Sequence, residues 1–207
     1  MKNLRCWAEI DLAALERNLH KIRSALPPGI KYVSVVKADA YGHGIHPTAA
    51  RLMQTGVDLF AVANVKEAMD IREMGSGWPV LILGPLLEEE DQTLLEYNLI
   101  PTLSDESELN RFIKLGKKQG KPLPIHLKVD TGMGRMGCWW ENAPSLLEKV
   151  LHTAEVELQG VLTHFPLPND FDFTNLQRER FLEVIRPAIS ARPNLLVHAD
   201  NSSSLQS

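Results

Sequence analysis

The sequence predicts an α/β fold in which parallel strands form a β/α barrel of the TIM type. Short apolar segments rich in β-branched residues alternate along the 207 residues with amphipathic helical segments. That alternation is typical of βαβ units, which build either a barrel or a doubly wound sheet. Seven such strands after a leading one come close to a (β/α)8 barrel and favour it. No linker or change of composition divides the chain, so residues 1–207 are expected to form one domain.

Cap and turn residues place the boundaries of the predicted elements. Asp11 suits the N-cap of the first helix, whose apolar residues recur at helical spacing as far as Ile22. The run Pro27-Pro28-Gly29 ends that helix, and Gly75 ends a later one. Pro101 weakens its strand because it removes a ladder donor. The predicted strands cover residues 7–10, 30–36, 59–63, 79–84, 99–103, 123–130, 156–164 and 195–199, and the predicted helices residues 12–22, 47–55, 65–74, 105–116, 145–152 and 174–189.

Composition and charge exclude several classes of partner. The formal net charge of −4, with 23% charged residues, argues against nucleic acid or an anionic membrane as a partner. The beginning of the sequence has no apolar signal core, and no stretch approaches the length of a membrane span. Cys6 and Cys138 lie far apart and make no disulfide framework, which favours a reduced, cytoplasmic location.

Polar residues gather where the predicted barrel strands end. Active sites of β/α barrels lie at the carboxyl ends of the strands. Each of these residues alone is explained by an ordinary loop or a satisfied polar group, but their coincidence at four strand ends predicts one site. They are Lys37, Lys128, Asp130, Thr163, His164, His198, Asp200, Asn201 and Ser202.

Lys37 carries the strongest of these signals. It follows an apolar, β-branched strand, and two glycines with a histidine between them come shortly after it. Lysine is rarely buried unless it is paired or chemically employed, and a desolvated lysine amine forms Schiff bases with carbonyl cofactors. The alternative is a surface lysine at a strand end, followed by an ordinary βα loop.

The sequence Val-Val-Lys-Ala-Asp-Ala-Tyr-Gly-His-Gly at residues 35–44 resembles the pyridoxal-phosphate (PLP) attachment motif of bacterial alanine racemases, with Asp39 where Asn is usual. The segments at residues 130–137, 163–165 and 198–202 match the same family in the same order, with Asp200 where Ala is usual. The resemblance covers essentially all of this chain but only the front part of the family. It implies a β/α barrel followed by a mostly β domain, in a cytoplasmic homodimer that interconverts L-alanine and D-alanine for peptidoglycan.

The resemblance also implies a role for each matching residue. Lys37 forms the PLP aldimine and is the base on the D-alanine side, and Arg135 hydrogen-bonds the cofactor and meets the substrate carboxylate. Lys128 is carbamylated and orients Arg135, and His164 packs against the cofactor ring. The implied cofactor-binding residues are Lys37, Tyr41, Leu83, Arg135, His164, Asn201 and Ser202, and no metal site is expected.

Two further expectations follow from the resemblance. The chain stops before the eighth barrel strand and the C-terminal domain, so we expect a gap beside the Lys37 strand and no partner sheet for residues 7–10. The base on the opposite face of the substrate, a tyrosine of the absent domain, is missing, and the isolated chain is expected to be monomeric or prone to aggregation.

Other functions remain open at this point. The chain is alternatively a catalytically incomplete PLP-binding barrel or carrier, a broad-specificity or serine racemase, or a decarboxylase of the same barrel type. Arg135 together with Lys128 favours a racemase, because a mere carrier needs no group that positions a substrate carboxylate.

Overall fold

The computed structural model describes residues 5–199 of the chain. The chain divides into two compact units, residues 1–93 and residues 94–207. Each unit combines parallel strands with helices, as the alternating sequence pattern predicts. No helix within residues 5–199 is long and apolar enough to cross a membrane.

The first unit contains three parallel strands. The middle strand, β2, pairs with β1 on one side and with β3 on the other, with Ser34 opposite Phe60 and Ala61 opposite Leu81. All four residues of β2 are buried, which explains their continuous apolar character. The elements are α1 (Leu12–Ala25), β1 (Val33–Val35), α2 (Lys37–Gly42), α3 (Ile45–Thr55), β2 (Leu59–Val62), α4 (Val65–Met74) and β3 (Val80–Ile82).

The second unit is built around one long strand, β5. It pairs in parallel with β4 and β7, and β7 pairs in parallel with β8. A two-residue strand, β6, returns to the carboxyl end of β5, with Cys138 opposite Val129. A 3-10 turn (Glu88–Glu90) ends the first unit, and α5 (Asp91–Glu96) spans the division between the units. The elements that follow are β4 (Ile100–Leu103), α6 (Glu106–Gln119), β5 (Leu123–Asp130), β6 (Cys138–Trp139), α7 (Ala143–Leu151), β7 (Val156–Leu162), α8 (Phe171–Ala191) and β8 (Leu196–His198).

Most predicted elements are present, with shifted ends. Helix α1 begins after Asp11, whose carboxylate accepts hydrogen bonds from the Ala13 and Ala14 amides at 2.9 and 3.0 Å. Residues 7–10 do not form the predicted strand. They pair with no strand within residues 5–199, which agrees with the expectation that this segment lacks a partner sheet. Alternating side chains alone do not make a strand when no neighbour supplies hydrogen bonds. Helix α5 and strand β6 were not predicted, since both are short and lack a clear apolar period.

Strand β1 has a paired strand on one side only among the described residues. The side chain of Val35 in this strand is 38% exposed, which is unusual for an apolar residue of a parallel sheet. This agrees with the gap expected beside the Lys37 strand.

Candidate active site

Lys37 begins α2, which is a left-handed turn at the carboxyl end of β1. The Val36 amide still donates to the Ala61 carbonyl at 2.9 Å, as a strand residue would. The next four residues, 38–41, all have φ between 52° and 56°, and none of them is glycine. A left-handed conformation costs about 1–2 kcal/mol for each such residue, so surrounding contacts must hold the turn in place.

Hydrogen bonds hold the left-handed turn at several points. The Ala38 amide donates to Glu67 Oε1 at 2.7 Å, and the Ala40 amide donates to the Val36 carbonyl at 2.9 Å. Asp39 Oδ1 accepts from the Ile45 amide at 2.6 Å, where α3 begins. Asp39 therefore supplies an acceptor for a backbone N–H at the start of α3 that has no partner within the helix.

The other predicted site residues of the first unit follow β1 and β3. Lys37 is half-buried, whereas Tyr41, on the left-handed turn, is 59% exposed. Leu83 is half-buried directly after β3, and its amide donates to the Val62 carbonyl at 2.8 Å. All three residues therefore lie at the carboxyl ends of parallel strands, where sites of this fold class are built.

In the second unit, the carboxylate of Asp130 organises the loop that carries Arg135. Asp130 ends β5 and its Oδ1 accepts from the amides of Gly132 and Gly134 at 3.0 and 3.1 Å. Gly134 has a φ of 70°, a left-handed conformation that glycine adopts without strain. The loop therefore turns tightly around one carboxylate and leaves the Arg135 side chain exposed.

Helix α8 holds the base of this loop. Gln177 donates to Thr131 Oγ1 at 3.2 Å and to the His164 carbonyl at 3.3 Å, so it joins the segments that follow β5 and β7. Arg180 donates to the Thr131 carbonyl at 2.9 Å. The hydroxyls of Thr131 and Thr163 lie 2.8 Å apart. These contacts fix the backbone beside both Arg135 and His164, the two predicted site residues of this region.

Two histidines and a lysine come together on β5 and β8: His126 and Lys128 are buried, and His198 is half-buried. His126 Nδ1 lies 2.9 Å from His198 Nε2. Burial, and secondly His198, lowers the pKa of His126 to about 3, while burial, and secondly the charge of Lys128, lowers the pKa of His198 to about 4. Both imidazoles are therefore neutral at pH 7, one donating and the other accepting. Lys128 is only 6% exposed, and a Cβ on Gly137 would lie 2.9 Å from its Cγ.

The structure thus describes six of the eight residues to which the resemblance assigns a role. Lys37, Tyr41 and Leu83 belong to the first unit, and Lys128, Arg135 and His164 belong to the second. The predicted phosphate-binding residues Asn201 and Ser202, and the strand-end residue Asp200, lie outside the described residues.

Sequence reasoning missed Glu67, His126 and Gln177. Glu67 stands three residues after Asn64, the spacing of a capping box, and that signal could have found it. His126 and Gln177 carry no local signal, because their partners lie 72 and 46 residues away in the sequence.

Comparison with known proteins identifies the family. The family model described as "Alanine racemase, N-terminal domain" matches residues 10–207. The chain belongs to this family. An alanine racemase of Halothermothrix orenii is 35% identical over 202 residues, which cover 96% of this chain and 53% of that protein. One of Carboxydothermus hydrogenoformans is 40% identical over 182 residues, covering 87% and 49% respectively.

Solved alanine racemase structures share the fold. The enzyme of Clostridium difficile 630 aligns over 99% of this chain and 58% of its own, with a TM-score of 0.92 and 28% identity. A Bartonella henselae alanine racemase with covalently bound pyridoxal phosphate aligns over 95% of this chain and 56% of its own, with a TM-score of 0.81 and 25% identity. These matches confirm the predicted family and fold class. The chain spans about half the length of the relatives it matches.

Proposed function

We propose that this chain carries the PLP-attaching part of an alanine racemase, with Lys37 as the attachment residue. The observation that supports it best is the placement of Lys37 at the end of a parallel strand, on a strained left-handed turn of four non-glycine residues. Strain of this kind persists where surrounding structure holds it, and it clusters at functional sites. The whole protein then interconverts L-alanine and D-alanine as a cytoplasmic homodimer and supplies D-alanine for peptidoglycan.

The side chains available suit the cofactor. Lys37 supplies an amine for an aldehyde, Tyr41 a phenol for a phosphate, and Arg135 a guanidinium for a phenolic oxygen or a carboxylate. His164 supplies an aromatic face, and Leu83 an apolar contact. Asn201 and Ser202 would complete the phosphate contacts. When bound, PLP supplies the electron sink that stabilises a carbanion at the substrate Cα. Lys37 then exchanges a proton with that carbon on the D-alanine side.

Borohydride trapping tests the attachment residue. The 207-residue chain is mixed with PLP, its absorbance spectrum is recorded, and it is reduced and digested for peptide mapping by mass spectrometry. We expect the adduct on Lys37 and its loss in Lys37→Ala. The exposed Lys31 lies six residues earlier, and Lys31→Ala is the matched control that should retain the adduct. An adduct spread over several lysines, or one unchanged in Lys37→Ala, would contradict the proposal.

Substitution of Arg135 distinguishes a racemase from a PLP carrier. Its exposed position at the tip of a glycine loop suits capture of a substrate carboxylate. Arg135→Leu should weaken the binding of alanine to the PLP-loaded chain about tenfold or more, the effect of losing a charge-assisted hydrogen bond. The spectral change on adding alanine measures this binding. A carrier predicts no alanine-dependent change in either protein.

We also propose that Lys128 is carbamylated. Its amine nitrogen would bond to the carbon of CO2 and lose a proton, so a positive charge becomes a negative one that can orient Arg135. The burial of Lys128 supports this, since a buried lysine is typically paired or chemically employed. Carbon NMR with isotopically labelled CO2 should show a carbamate resonance that Lys128→Ala removes and the exposed-site control Lys114→Ala retains. A resonance lost in neither variant, or absent from the unmodified sequence, would exclude it.

A further inference from the structure

The carboxylate of Glu67 joins the ends of two neighbouring strands. Its Oε2 accepts from the amide of Ala63, the residue after β2, at 2.8 Å. Its Oε1 accepts from the amide of Ala38, the residue after Lys37, at 2.7 Å. The Glu67 amide donates to Asn64 Oδ1 at 3.0 Å, so the backbone of Glu67 is held as well. Both carboxylate oxygens therefore have a fixed partner.

A second glutamate in an equivalent position shows which of the two Glu67 contacts is ordinary helix capping. Glu108 stands at the same position of α6, and its Oε2 accepts from the Ser104 amide at 2.6 Å. The Glu108 amide donates to Asp105 Oδ1 at 2.9 Å, as the Glu67 amide does to Asn64. The contact with the residue before the N-cap is therefore common helix capping. The hydrogen bond from Ala38 goes beyond capping, because it joins Glu67 to a segment 29 residues away.

On the Ala63 side of this contact, the backbone is closely packed. A Cβ on Gly84 would lie 2.2 Å from the Ala63 carbonyl oxygen, so the two backbones are in close contact there. The Ala38 side is different, because Ala38 has a φ of 52° and is not glycine. Without a partner for its amide, this residue would favour the right-handed or extended conformations. The Lys37 side chain would then leave its position at the end of β1.

We propose that Glu67 is a positioning residue for Lys37, because its carboxylate binds the Ala38 amide and holds the left-handed turn from which the lysine amine projects. The inference rests on the proposed function, since the position of Lys37 matters to catalysis only if Lys37 attaches PLP. Glu67 acts through the backbone and touches neither substrate nor cofactor.

The test compares Glu67→Gln with Glu108→Gln in the full 207-residue chain. Glutamine has one acceptor oxygen, so one of the two amides loses its acceptor in Glu67→Gln. The rate at which PLP is trapped on Lys37 should fall about tenfold or more, as expected for the loss of a charge-assisted hydrogen bond. Amide hydrogen exchange at Ala38, measured by NMR without PLP, should accelerate by a similar factor. Glu108→Gln should change neither rate.

A second substitution distinguishes positioning from capping. Glycine adopts a positive φ without steric cost, so adding Ala38→Gly to Glu67→Gln should restore part of the trapping rate. A trapping rate in Glu67→Gln equal to that of the unmodified sequence would overturn the inference, as would equal losses in Glu67→Gln and Glu108→Gln. Failure of PLP to label Lys37 in the unmodified sequence would instead refute the proposed function, and exchange at Ala38 would still decide the role of Glu67.

Discussion

Acidification from about pH 7 to about pH 5 is expected to destabilise the protein through His126 and His198. His126 Nδ1 lies 2.9 Å from His198 Nε2. Burial lowers the pKa of His126 to about 3; burial, and secondly the positive charge of uncarbamylated Lys128, lowers the pKa of His198 to about 4. The prediction applies to the protein with uncarbamylated Lys128. The unfolded chain returns each pKa to about 6.5. Between these values the unfolded state binds more protons than the folded state. The stabilisation is therefore complete above about pH 6.5 and is lost as the pH falls towards the folded-state values.

The size of the effect follows from the same shifts. One imidazole that stays neutral when folded but protonates when unfolded lowers the free energy of unfolding by about 2 kcal/mol at pH 5. The two imidazoles are coupled, so the pair should contribute at least that amount. Burial raises the pKa of Glu108, which works in the opposite direction, but Glu108 is common to all variants compared.

Urea unfolding at several pH values measures the effect. His198→Gln keeps a polar side chain and removes one titrating group. Its free energy of unfolding should therefore fall less steeply between about pH 6.5 and pH 5. The slope should decrease by the contribution of about one proton, which is about 1.4 kcal/mol per pH unit. Val197→Ala, a substitution at an exposed neighbour in β8, keeps both imidazoles and should retain the original slope. A flat profile for the unmodified sequence, or an unchanged slope in His198→Gln, would show that the histidines do not stay neutral on folding.

Two further predictions concern stability and use the same urea measurement. Gly160→Ala would place a Cβ 2.6 Å from the His126 ring and should lower the free energy of unfolding by about 1–3 kcal/mol through overpacking. The control Gly77→Ala meets no atom within 4 Å and should lower it much less. Equal decreases in the two variants would contradict the steric argument. Asp105→Ala removes the carboxylate that caps α6 and should lower the free energy of unfolding by about 1 kcal/mol. The control Asn142→Ala at the start of α7 removes no side-chain cap and should change this free energy little. An unchanged free energy in Asp105→Ala would show that the cap contributes nothing.

Local patterns predicted most of the fold because strands and helices of this class carry strong local signals. The β2 segment is apolar throughout, and α4 runs from a capping Asn64 to Gly75, so both were predicted within one residue. The segment at residues 7–10 shows the limit of this reasoning, because its alternating residues would form a strand only beside a partner. Whether a partner is present is not encoded in the segment itself.

For the candidate site, residue types were predictable and their environments were not. Lys37, Arg135 and His164 were predicted from three short motifs, each a run of adjacent residues. The conformation of the Lys37 turn was not found, because Ala-Asp-Ala-Tyr contains no glycine to indicate positive φ values.

The sequence by itself determined the order of the elements and the family, because both depend on residues within short spans. It also predicted which side chains carry the chemistry. Only the tertiary structure decided that Glu67 holds the Ala38 amide and that His126 contacts His198. Those contacts join residues 29 and 72 positions apart. They arise because a parallel sheet and its connecting helices bring residues from distant parts of the chain side by side, a placement that no local pattern records.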